Sequence, residues 1–462
     1  MAGIKGLGFV DNTKPKCIAC GLSKQHTRME VVGEGKQKIL IVVECPSSAE
    51  DQTKKPLMGK SYDYIRDKLS KLGFSLEKDC WRVTAMGCRK PKKKNNQLAF
   101  TDEEIKYCSP YLCGLVEKLS PRGILVFGSI GMQMLLNPKG FSDCSVGRWH
   151  SIPVPYTTEK GHKCWLMSTF DPSLSVNSER RDDVYEPVIA KDVSLFGKVL
   201  RKEVPSYSFP HVECLYKKDD ILKAIKDARK YDMLSIDYEA TGLKPDREGH
   251  RIVTCSLTLA RLEISTDIQV IAFPIDYLGS GGLSEEDSYE VKEHLASLLE
   301  EHPFIIAHNS KFEQRWSRTI LGVDFESPRT FCTMNVAHLI DERPKYCGLK
   351  FQAFVNFGVK DWSSSISKYL VSEDASANSF NRVDEAPLED LLIYNGYDTY
   401  FTYLLFLAQS AYIEENDHMN KGILDIFLDG GCALGKAEGE GFHLVSNYYT
   451  DSHKKIDRKS VV

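Results

Sequence analysis

Short apolar runs alternate with stretches of helical spacing along most of this chain. ILIVVE at 39–44 and GILVFG at 123–128 are continuous and brief, as strands buried on both faces are. The second ends in a glycine-containing turn of the kind that leads from strand to helix. Between them SYDYIRDKLSKLG, 61–73, repeats its apolar residues at helical spacing and closes on glycine, and KCWLMSTF at 163–170 reads as a later strand. This alternation predicts a parallel sheet with helices on both faces over residues 1–200. RKEVPSYSFPHVE, 201–213, follows neither period and carries two prolines, which marks a linker. After it, DDILKAIKDARK at 219–230 predicts an amphipathic helix, and strand-like runs follow at 233–238, 251–260 and 268–275. A helix capped by Ser284, the strand FIIAHN and further helices complete a second α/β pattern, with a mixed sheet, over 214–415.

Composition sharpens this outline. A chain of 462 residues exceeds one ordinary core, so two or three domains are expected. Residues 1–200 hold 31 Lys+Arg against 22 Asp+Glu, so a basic half of net +9 precedes an acidic remainder of net −13. A basic half can lie along phosphates, whereas an acidic half needs cations to do so. No secretory segment and no apolar run of bilayer length is present, so no membrane partner is expected. The fourteen cysteines are too irregularly spaced for a disulfide framework, which points to a reducing cytoplasm.

Candidate chemistry concentrates in MLSIDYEATGL, 233–243. Period-2 geometry puts Asp237 and Glu239 on one face of a strand end, and two like charges that close favour a divalent cation between them. HNSKFEQRW at 308–316 follows another apolar strand and offers Glu313, while YNGYD at 394–398 sets Tyr394 and Asp398 four apart on one helical face. In order, these resemble the motifs DxE, N-x-x-(F/Y)-D and Y-x-x-x-D of the tyrosine-containing DEDD exonucleases, the 3′→5′ proofreading domain of family A DNA polymerases. The resemblance spans about 200 residues, and only Glu313 departs, standing where the family has aspartate. It implies a ribonuclease H-like fold and two Mg²⁺ or Mn²⁺ ions about 3.5–4 Å apart on Asp237, Glu239, Glu313 and Asp398. It also implies that Tyr394 orients the attacking water, that Thr241 and Leu243 meet the terminal nucleotide, and that Asn309 helps set Glu313. GLKFQAFVNFG at 348–358 resembles a helix of the same family, and the Ser-rich stretch 360–381 reads as a polar loop near the active face.

The first 200 residues carry a different set of motifs. CIAC at 17–20 is followed by Cys88 in GCRKPKKKNN and Cys108 in YCSPYL. With VECPSSAED at 43–51, PLMG at 56–59, GRW at 147–149 and DPS at 171–173, the stretch 14–200 resembles the family 4 uracil-DNA glycosylases. The resemblance implies a [4Fe–4S] cluster on Cys17, Cys20, Cys88 and Cys108, with zinc as the alternative. It also implies that the glycosylase site has degenerated. Glu44 keeps the family's active-site glutamate, but Leu57 replaces the stacking phenylalanine, Thr84 the base-reading asparagine, and Asp171 the histidine that steadies the leaving base. Base selection needs a stacked ring and paired edges. Lys92, Lys93 and Lys94, in the basic run between the later two cysteines, are candidate phosphate contacts or a solvated loop.

The expected organisation is therefore a glycosylase-like domain at 1–200, a linker at 201–213, an exonuclease domain at 214–415 and, at 416–462, the helical start of a polymerase domain. That order resembles polymerases of large tailed phages, which would place the protein in a host cytoplasm, as a fragment of a longer polymerase or a freestanding exonuclease. The expected partners are DNA, as single-stranded 3′ ends or primer-template, and a separate polymerase polypeptide. Two rival readings remain at this point, a working uracil-DNA glycosylase fused to the exonuclease and a non-enzymatic replication scaffold.

Overall fold

In a computed structural model, the chain is described at residues 17–22, 29–89, 100–176, 183–262, 268–325, 329–372, 379–416 and 421–441. It forms two compact units. One runs to Ser208 and includes Arg343–Asp361; the other comprises Phe209–Glu342 and the residues from Trp362 onward. No helix among the described residues is long and apolar enough to cross a membrane.

The first unit is built on a five-stranded sheet of β1 (Ile39–Val43), β2 (Cys80–Thr84), β3 (Gly123–Phe127), β4 (Val154–Thr157) and β5 (Lys163–Thr169), in the order β2-β1-β3-β5-β4. All neighbours run parallel except the edge strand β4, which returns antiparallel to β5. Continuous apolar runs suit this position because both faces are covered. Leu40, Val42, Ile124 and Val126 feed one core, and Ile39, Ile41, Leu125 and Phe127 feed the other. The helix at Leu349–Phe357, expected within the second domain, belongs to this unit. Its Phe351 and Phe354 pack on Phe141 and Trp149, and Arg343 donates to the carbonyls of Arg148 and His150. Its aromatic face needed a hydrophobic partner, and spacing alone cannot say which core provides one.

The second unit has a six-stranded sheet of β6 (Glu213–Cys214), β7 (Met233–Ala240), β8 (Ile252–Ala260), β9 (Ile268–Pro274), β10 (Ile305–Ala307) and β11 (Thr330–Cys332). The order is β11-β10-β7-β8-β9-β6, with β7, β8 and β9 antiparallel and β10 and β11 added in parallel, which is the ribonuclease H-like mixed sheet. The parallel β6 starts at Glu213, the last residue of the expected linker. Phe209, also within it, packs on Tyr397 and Phe401.

The helix Leu388–Glu415 lies against this sheet through hydroxyl groups as well as apolar contact. Ser256 donates to the Asn395 carbonyl, and the hydroxyls of Thr258 and Thr399 meet at 3.0 Å. Each such bond contributes about 1 kcal/mol, and leaving one partner buried and unmade costs more. The helix Lys421–Glu440 packs on the helix Ser310–Trp316, where Gln314 donates to the Cys432 carbonyl and Lys311 pairs with Glu438.

Candidate active site

The alternation of β7 buries Tyr238 on one face and leaves Asp237 and Glu239 half-buried on the other. The register of β7 against β8 shifts between Glu239 and Ala240, and such a bulge bends a strand and re-aims its side chains. Opposite, one turn of the Leu388–Glu415 helix presents Tyr394 and Asp398. Ligand atoms of Asp237, Glu239 and Asp398 lie within 4.8 Å of one another. Tyr394 hydrogen-bonds Asp398. Its hydroxyl is kept protonated first by burial and then by the charges of Asp398, Glu239 and Asp237.

Glu313 approaches from the helix Ser310–Trp316, which starts at Asn309 in the left-handed conformation that asparagine tolerates well. It is buried, its Oε2 has no hydrogen-bond partner, and its carboxyl is pushed well up by burial and then by the charge of Asp237. A buried acid with an orphaned oxygen has the donor chemistry of a cation ligand, although Glu313 is not among the acids whose ligand atoms gather within 4.8 Å.

Two residues that sequence reasoning missed hold these acids. Asn395 Nδ2 donates to Asp237 Oδ2 at 2.6 Å, and Trp362 Nε1 donates to Asp398 Oδ1 at 2.6 Å. Asn395 lies inside YNGYD and was readable as a polar residue on the sheet-facing side of the helix, whereas Trp362 gave no signal.

Thr241 is buried, and its hydroxyl accepts from the backbone N–H of Arg251 while sitting 3.2 Å from His250 Nδ1. It braces the loop beyond β7. A side chain on Gly242 would strike the His250 ring, which stacks on Phe380 at 4.1 Å. Leu243 is 61% exposed.

In the first unit Cys17, Cys20, Cys88 and Cys108 line one small pocket with Leu22, Met86 and Tyr107. The Cys88 thiol is pushed up to about 12 by burial and then by Cys108, Cys17 and Cys20. Lys92, Lys93 and Lys94 lie outside the described residues.

Residues 31–191 match the family model for the uracil DNA glycosylase superfamily. The first unit carries a uracil DNA glycosylase superfamily domain. The type-4 uracil-DNA glycosylase of Thermotoga maritima is 26% identical over 197 residues, 42% of this chain and 95% of that protein. A DNA polymerase of Bacillus phage SP01 is 22% identical over 443 residues, covering 90% of this chain; the chain spans 44% of that polymerase's length. Among solved structures, Brucella melitensis NrnC with bound Mg²⁺ is similar with a TM-score of 0.32 and 17% identity, covering 51% of this chain and 96% of that one.

In the glycosylase-superfamily domain, Glu44, Thr84 and Asp171 stand at or just beyond the C-terminal ends of β1, β2 and β5, where open α/β sheets bind ligands. Glu44 accepts from the Ser129 backbone N–H at 3.0 Å, and its side chain fills the space where a Cβ on Gly128 would fall. Thr84 is wholly buried, and its hydroxyl has no hydrogen-bond partner. Leu57 is buried, with φ in the left-handed region at 56°, and Asp171 accepts from the Ser173 backbone N–H.

Proposed function

We propose that this protein is a metal-dependent 3′→5′ DNA exonuclease, the proofreading part of a phage-type family A polymerase, whose glycosylase-superfamily domain binds DNA without excising bases. The observation that carries the reading is the convergence of Asp237, Glu239 and Asp398 within 4.8 Å, with Glu313 and Tyr394 beside them. The similarity to a phage DNA polymerase supports DNA as the substrate class.

Asp237, Glu239, Glu313 and Asp398 would hold two Mg²⁺ or Mn²⁺ ions. Cations bound there would lower the pKa of an attacking water and stabilise charge on the departing 3′ oxygen. Tyr394, protonated, would donate to or accept from that water and fix its line of attack. Leu243 would pack against the terminal nucleotide. Leu57, Thr84 and Asp171 supply neither the stacked ring nor the base-edge partner nor the anion-stabilising donor of excision. A lost donor of that last kind costs about 3 kcal/mol.

The test is single-stranded DNA labelled at its 5′ end, with and without uracil, incubated with Mg²⁺ or EDTA. A ladder shortening from the 3′ end in Mg²⁺ alone is the expected result. Alkali-labile cleavage at uracil would establish excision instead, and no product from either substrate would leave only the scaffold reading.

For the four cysteines we propose a [4Fe–4S] cluster of structural role. Four thiolates around one pocket fit such a group. Anaerobically purified protein is expected to be brown, with iron and sulfide in near-equal amounts. Zinc without sulfide would overturn the cluster.

A further inference from the structure

The two acids at the centre of the candidate site are each held by a buried N–H donor. We infer that Trp362 and Asn395 are positioning residues that set the Asp398 and Asp237 carboxylates for cation binding, a proposal that rests on reading the acidic cluster as a metal site.

Asn395 is fully buried, and its amide can face only one way. Thr254 Oγ1 donates to Asn395 Oδ1 at 3.0 Å, which turns the amide nitrogen toward Asp237. That nitrogen lies 2.6 Å from Asp237 Oδ2 and 3.4 Å from the Asp237 carbonyl. Because Thr254 pairs with Glu239 across β7 and β8, the hydroxyl that orients the amide sits on the strand beside the second acid.

Trp362 is fixed by its ring. The indole packs on Phe401 at 4.7 Å and on Phe209 at 6.3 Å, and its single N–H reaches Asp398 Oδ1 at 2.6 Å. Both distances to the acids are in the range of hydrogen bonds to charged acceptors. Each bond occupies one carboxylate oxygen and fixes the plane in which the other is presented. Residues hydrogen-bonded to metal ligands in this way typically carry roughly 10–100-fold of metal affinity or activity.

The test measures Mn²⁺ binding by equilibrium dialysis on the full chain, beside nuclease rates over a Mn²⁺ titration. Trp362→Phe keeps the stacked ring and removes the N–H. Asn395→Leu keeps the volume and removes the amide. Each is expected to weaken Mn²⁺ binding by roughly 10–100-fold, with nuclease activity recovering substantially at saturating Mn²⁺. Trp362→His, which can restore a ring N–H, is expected to bind Mn²⁺ more tightly than Trp362→Phe. Asp398→Asn is the control. If it removes Mn²⁺ binding while Trp362→Phe and Asn395→Leu bind like wild type, the positioning role is wrong and the metal site stands. If Asp398→Asn also binds like wild type, the metal reading itself fails. A fall in melting temperature at unchanged Mn²⁺ affinity assigns the two residues to packing and overturns the proposal.

Discussion

Asp237→Asn and Asp398→Asn are expected to abolish nuclease activity while leaving the fold intact. Losing a residue hydrogen-bonded to a ligand costs roughly 10–100-fold, and losing the ligand's charge should cost more than that range. The amide is the informative replacement because of what surrounds each acid. Alanine would orphan the buried Asn395 amide or the Trp362 indole N–H, at about 1–3 kcal/mol each, whereas asparagine keeps an oxygen to accept from them. Removing one charge from a like-charged group also relieves repulsion in the metal-free protein. Melting temperature in EDTA should therefore hold or rise, while degradation of end-labelled single-stranded DNA in Mg²⁺ disappears. More than a few per cent of wild-type activity in either variant would rule that acid out as a ligand.

Glu313→Gln is expected to be almost as inactive, and it changes how the metal-free protein responds to pH. Burial and the neighbouring Asp237 push the Glu313 carboxyl well above its ordinary value of 4.5. An acid whose pKa is higher folded than unfolded stabilises the fold below the unfolded value, and that contribution is lost as pH rises through the folded one. Wild-type protein in EDTA should thus lose stability as pH rises above about 4.5, and the glutamine variant should lose less. Saturating Mg²⁺ should remove the difference, because a bound cation favours the ionised carboxylate. Glu313→Asp should be no better than wild type, since its carboxylate would fall about 1–1.5 Å short. Differential scanning calorimetry across pH, with and without Mg²⁺, reads the first effect and single-turnover cleavage the second. Full activity in Glu313→Gln would remove Glu313 from the site.

Much of this arrangement was legible in the sequence because it follows from local periodicity. A strand of period two must put Asp237 and Glu239 on one face, and a helix must put Tyr394 and Asp398 on one face. Uninterrupted apolar runs required strands such as β1 and β3 to be covered on both sides. The resemblance to the family 4 uracil-DNA glycosylases, rather than spacing, singled out Cys17, Cys20, Cys88 and Cys108, which line one pocket.

Tertiary structure alone decided the rest, wherever a residue's role depends on a partner distant in the chain. Strand direction is not written in hydrophobicity, so β4 came back antiparallel and the two-residue β6 at the end of the expected linker paired parallel with β9. The helix Leu349–Phe357 declares an aromatic face, yet only packing reveals that Phe141 and Trp149 of the first unit cover it. Trp362, the first residue after that segment, sits in a polar loop with no motif and becomes significant only because the fold brings its indole to Asp398. Asn395 meets an oxygen on a residue 158 positions earlier. Local periodicity names which acids can share a face; long-range contacts name which donors hold them there, because a hydrogen bond needs two partners and the chain order supplies only one.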